Sequence, residues 1–162
     1  MSSNVYSEFE WRGLFYQQSN PEGIQNLLGS SQTVYAGFDP TAESLHIGHM
    51  VPLVALRRFQ LAGHCPIALV GGATGHIGDP SGKNDERSLN QKEIVEQWSD
   101  KIKHQLEKII DFSTGKYQAK LLNNYSWIGS LPTIDFLRDI GKHFTINWMM
   151  AKDSVRSRIE SE

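Results

Sequence analysis

The sequence predicts an α/β fold built on a parallel sheet, and three observations carry that prediction. Apolar extended stretches alternate with stretches of helical periodicity, an order that favours parallel strands joined by helical crossovers. The first extended stretch, Gln32 to Phe38, runs through Asp39-Pro40-Thr41 into a helical pattern from His46 to about Leu61. The second, Pro66 to Val70, runs into a glycine-dense segment from Gly71 to Lys83. Parallel strands point the same way, so these two unusual loops fall at one edge of the sheet, where open α/β sheets bind ligands.

Residues 1–5 are expected to be loose. From Tyr6 to Gln18, Phe9, Leu14 and Phe15, with Trp11, fit a helix with one buried face. Asn20-Pro21 starts a second, short helix, with Asn as cap and Pro in the first turn, and Gly29 stops it. In the helix from His46, Leu53, Leu56 and Phe59 face the core and Gly63 ends it. Pro52 falls early in that helix, where proline is tolerated. Gly71 to Lys83 reads as a loop throughout, because so many glycines disfavour a helix or strand interior.

Leu89 to Ile110 is a long amphipathic helix, with Ile94, Trp98, Ile102, Leu106 and Ile109 at helical spacing. Ala119 to Leu122 is the third strand, broken by Asn123-Asn124, and Tyr125 to Ile128 forms one turn. Pro132 opens a helix from Thr133 to Gly141 with Ile134, Leu137 and Ile140 inward. A helical stretch from Thr145 to about Ile159 follows. Residues 30–123 thus read as the first half of a sheet domain, and 124–162 as a helical connecting segment.

Composition narrows the function. The 162 residues suffice for one domain with a real core. A hydrophobic share of 39% and a charged share of 21% suit a soluble globular protein. Net charge is −2, so any RNA contact is local or lies outside this chain. Cys65 is the only cysteine, which suits a reducing compartment. No apolar run approaches the ~20 residues of a membrane helix. The start of the chain, with Glu8 and Glu10, does not resemble a signal or transit peptide. A cytoplasmic location is expected.

Chemistry concentrates in the two loops. A helix start beyond a strand offers unpaired N–H groups, a natural anion site, and His46 and His49 can add donors there. The run Tyr35-Ala36-Gly37-Phe38-Asp39-Pro40-Thr41 through His46-Ile47-Gly48-His49 resembles the nucleotide-binding element of class I aminoacyl-tRNA synthetases, with their Rossmann-like sheet. It is most similar to that of the bacterial-type tyrosyl-tRNA synthetases. Two further stretches resemble the same family: Gly75-His76-Ile77-Gly78-Asp79-Pro80-Ser81-Gly82-Lys83, and Asn124 to Gly129 continuing through Phe136 to Phe144. Three separated matches in the right order cover nearly the whole chain.

The resemblance implies a two-step reaction, in which ATP activates tyrosine to tyrosyl-adenylate and the tyrosyl group passes to tRNA(Tyr). Magnesium is implied with ATP, and no dedicated metal cluster is visible. By resemblance, Tyr35 would meet the substrate phenol and Asp79 its α-ammonium. Thr41 and His46 would contact the terminal phosphates as pyrophosphate leaves, and His49 the ribose or phosphate region. Gly37 and Gly48 would keep the backbone clear of the nucleotide, and Asp39 would border it. Lys83 and Arg87 would approach pyrophosphate or the tRNA end.

From the residues alone, Tyr35 reads instead as a core strand tyrosine, Asp39 and Asp79 as turn formers, and Lys83 and Arg87 as solvated charges. Ala36 stands where the family often has cysteine, so one ribose contact is expected to be missing or made by backbone. The family's second tyrosine-binding stretch, its Lys-Met-Ser-Lys-Ser-type loop and its anticodon-binding region are not found. The chain therefore reads as the N-terminal part of a larger synthetase. An unpaired sheet edge is expected, as is an apolar surface over 132–159 (Phe144, Trp148 and Met149 in it) that in this family contributes to a homodimer. Two other classes share parts of the pattern: other nucleotidyltransferases with a His-x-Gly-His element, and a non-catalytic nucleotide-binding fragment. A dehydrogenase fits worse, for want of Gly-x-Gly-x-x-Gly.

Overall fold

The computed structural model describes residues 4–40, 42–77, 92–152, 155, 156 and 159. Three parallel strands, β1 (Thr33–Phe38), β2 (Cys65–Val70) and β3 (Lys120–Asn123), lie in the order β1-β2-β3. Thr33 pairs with Cys65 and Phe38 with Val70, and Val70 pairs in turn with Asn123, so all three strands end at one level. Among the described residues β1 and β3 are both edges, as the sequence leads one to expect.

Alternation along β1 and β2 sorts the sheet into two faces. Phe38, Ala68 and Val70 belong to the core cluster, and the partly buried Val34 and Ala36 pack against it. Thr33, Tyr35 and Gly37 are exposed on the other face. The core closes with Leu53 and Leu56 of α3 (Ile47–Leu61), Ile102 and Leu106 of α5 (Lys92–Leu106), Ile110 and Ala119. Each fully buried leucine or isoleucine there contributes about 1.5–3 kcal/mol relative to exposure.

Gln60, buried near the end of α3, ties that helix to the 111–117 turn. Its amide donates to the Asp111 and Tyr117 carbonyls at 2.6 and 3.0 Å and accepts from the Asp111 N–H and Arg57 Nη1 at 3.1 and 2.7 Å. A buried amide with its hydrogen bonds made avoids the desolvation penalty of an orphaned group.

Several expectations need correction. The first helix, α1 (Val5–Trp11), stops well short of Gln18, because the chain turns at Gly13 with φ of 65°. Phe15 still returns to the Tyr6 and Phe9 rings, at 4.8 and 6.2 Å, while Trp11 and Leu14 stay exposed. Asn20 caps α2 (Pro21–Leu27) as expected, its side chain accepting the Gly23 N–H at 2.9 Å. Pro52 lies in the second turn of α3, not the first, so it removes a helical N–H that Gly48 would otherwise accept.

The glycine-dense segment is not loop throughout: Gly72–Ile77 is a helix, α4. Tertiary contacts override the poor propensity. The Ala73 N–H is taken by Asn124 Oδ1 at 2.7 Å, and a Cβ on Gly72 would sit 2.3 Å from Asn123 Oδ1. The amphipathic helix is α5, ending at Leu106, and Ile109 and Ile110 follow in a turn bonded to the Leu106 carbonyl.

After Asn124 the chain forms α6 (Tyr125–Ile128), α7 (Thr133–Asp139), a 3-10 turn (Gly141–His143) and α8 (Ile146–Met150). None of these elements has a buried residue. Ile134, Leu137 and Ile140 were expected inward, yet they are exposed, because no described element covers that face. The expected exposure of Phe144, Trp148 and Met149 is observed.

Candidate functional site

The strand ends converge through side chains. The Gly71 N–H donates to the Phe38 carbonyl at 3.0 Å, tying the end of β2 to that of β1. Thr74 Oγ1, one turn into α4, lies 2.7 Å from Asp39 Oδ1 and 3.1 Å from the Gly71 carbonyl. The Asn124 N–H donates to the Val70 carbonyl at 3.0 Å, and its buried side chain accepts from Ala73. Both unusual loops therefore do share one edge of the sheet.

His46 and His49 build the start of α3. His46 is extended, with φ of −101° and ψ of 173°, and its Nδ1 accepts the Gly48 N–H at 3.1 Å. His49 Nδ1 accepts the His46 N–H at 3.2 Å. This is a reciprocal capping box in which imidazoles replace the usual hydroxyl and carboxylate. The rings stack at 3.8 Å, 19° from parallel. With each Nδ1 acting as acceptor, the proton of each neutral ring resides on Nε2, which is left as the outward donor.

That geometry adds to two expectations. The N–H groups of Gly48 and His49 are already bonded within the protein, the latter to the His46 carbonyl at 2.9 Å. The imidazole Nε2–H groups, not those two amides, are thus what this cap offers an anion. Gly48 serves the cap as well: a Cβ there would stand 2.9 Å from His46 Cε1, so the absent side chain makes room for the ring. Next to Gly37, by contrast, no atom of the described residues beyond its chain neighbours comes within 4 Å of an added Cβ.

Electrostatics act on the His49 ring. Burial pulls the His49 pKa below its ordinary value, and the neighbouring His46 pushes the same way, while the Asp39 carboxylate opposes both. Burial and His46 thus favour the neutral form of His49, and the Asp39 carboxylate acts against them. Tyr35 is 73% exposed on the open sheet face. The core reading of that residue is wrong, and its ring stands on the same face as Gly37. Thr41, Asp79, Lys83 and Arg87 lie outside the described residues.

Tyr35, Gly37, Asp39, His46, Gly48 and His49 are thus grouped on β1 and the start of α3. Sequence reasoning missed Thr74, Gly71 and Asn124, which tie the other strand ends to them. Asn123-Asn124 was legible only as a strand break, and Thr74 only as one polar residue among glycines. Among the described residues no group of three His, Cys, Asp or Glu is placed to hold a metal ion. No helix among them is long and apolar enough to cross a membrane.

Known proteins resemble this chain over nearly its whole length. The tyrosine–tRNA ligase of Geobacillus stearothermophilus is 58% identical over 159 residues, which are 98% of this chain and 38% of that protein. Tyrosine–tRNA ligase 1 of Bacillus subtilis is 56% identical over 160 residues, with the same two coverages. The chain thus spans about 38% of the length of these curated relatives. The crystal structure of a C-terminally truncated Aspergillus nidulans mitochondrial tyrosyl-tRNA synthetase superposes with a TM-score of 0.87 at 28% identity, over 98% of this chain and 48% of that one. The family profile described as tRNA synthetases class I (W and Y) matches residues 29–162, and this chain belongs to that family.

Proposed function

We propose that the protein of which this sequence forms at least a part is a tyrosine–tRNA ligase, and that the edge carrying His46, His49, Asp39 and Tyr35 belongs to its adenylation site. In the first step a carboxylate oxygen of tyrosine attacks the α-phosphorus of ATP, and pyrophosphate leaves. In the second, a hydroxyl of the terminal tRNA ribose attacks the tyrosyl carbonyl, and AMP leaves. Neither step needs a covalent bond to the enzyme, so catalysis rests on positioning and on stabilising charge at the phosphates.

The observation that carries this reading is the imidazole capping box. It leaves two Nε2–H donors at the helix start, beside the end of the first strand. Imidazole donors suit a group that is bound and then released, because they do not require a fixed charge. His46 and Thr41 would meet the departing pyrophosphate, and His49 the ribose or phosphate region. Gly37 and Gly48 would border the nucleotide with Asp39. Tyr35, on the open face beside Gly37, would meet the tyrosine phenol, and Asp79 its ammonium. Lys83 and Arg87 would approach pyrophosphate or the tRNA end. Magnesium enters as the counter-ion of the ATP phosphates and is part of the substrate.

Residues 30–123 are read as the first half of the catalytic sheet domain and 124–162 as a connecting segment. The exposed Phe144, Trp148 and Met149 support a homodimer contact through 132–159. Light scattering of a strict monomer at high concentration would remove that contact from this chain. A cytoplasmic location fits a ligase acting on tRNA.

The test is tyrosine-dependent exchange of labelled pyrophosphate into ATP. The 162-residue chain alone is expected to be inactive, and the chain extended to the full length of its relatives active. Exchange driven by another acid and not by tyrosine would refute the reading.

A further inference from the structure

We propose that Thr74 and Gly71 are positioning residues that fix the Asp39 carboxylate beside His49. This rests on the reading above only in taking His49 as a group that meets the nucleotide. Thr74 Oγ1 stands 2.7 Å from Asp39 Oδ1 and 3.1 Å from the Gly71 carbonyl, so its hydroxyl bridges the end of β2 and the end of β1.

Gly71 makes the room. A Cβ there would lie 2.0 Å from Asp39 Oδ1 and 2.5 Å from Thr74 Oγ1, and the carboxylate would have to leave. Asp39 has reason to be held. It follows β1 directly, and its charge acts on His49, against both burial and His46. Among the described residues, Asp39 from the end of β1 and His46 from the cap of α3 are the charged or titratable groups acting on this ring. The third contact, the Phe38 ring at 6.2 Å, carries no charge. The hydroxyl of a residue in α4 thus sets how strongly the carboxylate after β1 supports the histidine.

The experiment is an NMR titration of the His49 imidazole in the whole 162-residue chain, with the signal assigned by its loss in His49→Gln. Asp39→Asn is expected to lower the His49 midpoint, because the opposing carboxylate is gone. Thr74→Val is expected to lower it by a part of that shift, and Thr74→Ser to restore the original value. Gly71→Ala reaches the same end by another route and is expected to shift the midpoint in the same direction. His64, at the opposite end of the sheet, is the internal control, since its midpoint stays put in any variant that remains folded.

An unchanged midpoint in Asp39→Asn would remove the coupling. An unchanged midpoint in both Thr74→Val and Gly71→Ala, with Asp39→Asn shifted, would remove the positioning role. The titration needs neither tyrosine nor ATP, so failure of the adenylation reading leaves its outcome intact. In the full-length protein, Thr74→Val is expected to displace the pH profile of pyrophosphate exchange in the same direction. A merely structural residue would lower the rate equally at every pH.

Discussion

The stretch from β1 to β3 and the stretch after Asn124 are built from similar residues and meet different fates. Both carry aliphatic and aromatic side chains at helical spacing. In the first, Phe38, Leu53, Ile102, Leu106 and Ile110 are at most 2% exposed. In the second, Ile134, Leu137, Phe144 and Trp148 are all between 49% and 73% exposed. The difference lies in what stands opposite. α3 and α5 lie against one face of a sheet, whereas α7 and α8 meet no described element that could cover them. Amphipathic periodicity states that a face is available for burial, and it cannot state what buries it.

Substitutions at matched positions sharpen this contrast. Leu53→Ala removes a fully buried side chain between α3 and the sheet and is expected to destabilise the chain by about 2–5 kcal/mol, read as a shifted denaturation midpoint in urea. A loss below about 1 kcal/mol would show that the first stretch is not the tightly filled core described above.

Asn124→Ala acts at the junction. It leaves the Ala73 N–H without its side-chain acceptor and is expected to cost about 1–3 kcal/mol. Hydrogen exchange should then rise first at Ala73 and in α4. Unaltered protection there would mean that Asn124 does not hold the two stretches together.

Leu137→Ala should have the smallest effect, within about 0.5 kcal/mol, because the side chain is already more than half exposed. A large loss, particularly one that depends on protein concentration, would show that a second copy covers α7 in solution, and the comparison would then be between two buried regions.

The candidate site was legible to different depths along the same edge. Strand, turn and helix start could be read from Tyr35 to His49, because β propensity, Asp-Pro and the apolar helical pattern are local signals. That both histidines use Nδ1 within the cap could not be read, since it depends on ring orientation. Gly48 shows the limit well. As a letter in a motif it suggests clearance for a ligand, and in three dimensions it clears the His46 ring. Thr74 and Gly71 were legible only as members of the glycine-dense segment, because the group they serve follows another strand.

What the residues alone determined is the order of the three strands and of the helices other than α4, the edge at which both strand ends carry unusual segments, and the identity of α3 as the helix that starts at the candidate site. These follow from periodicity, caps and chain direction, all of which act within a few residues. Tertiary structure alone decided the rest. It turned a glycine-dense segment into α4 by lending it the side chain of Asn124, and it set Tyr35 on the open face of the sheet. It also joined Asp39 to Thr74, 35 positions away. Each of these depends on a long-range hydrogen bond or on which face is covered, and such terms outweigh local propensities of about 1 kcal/mol per residue.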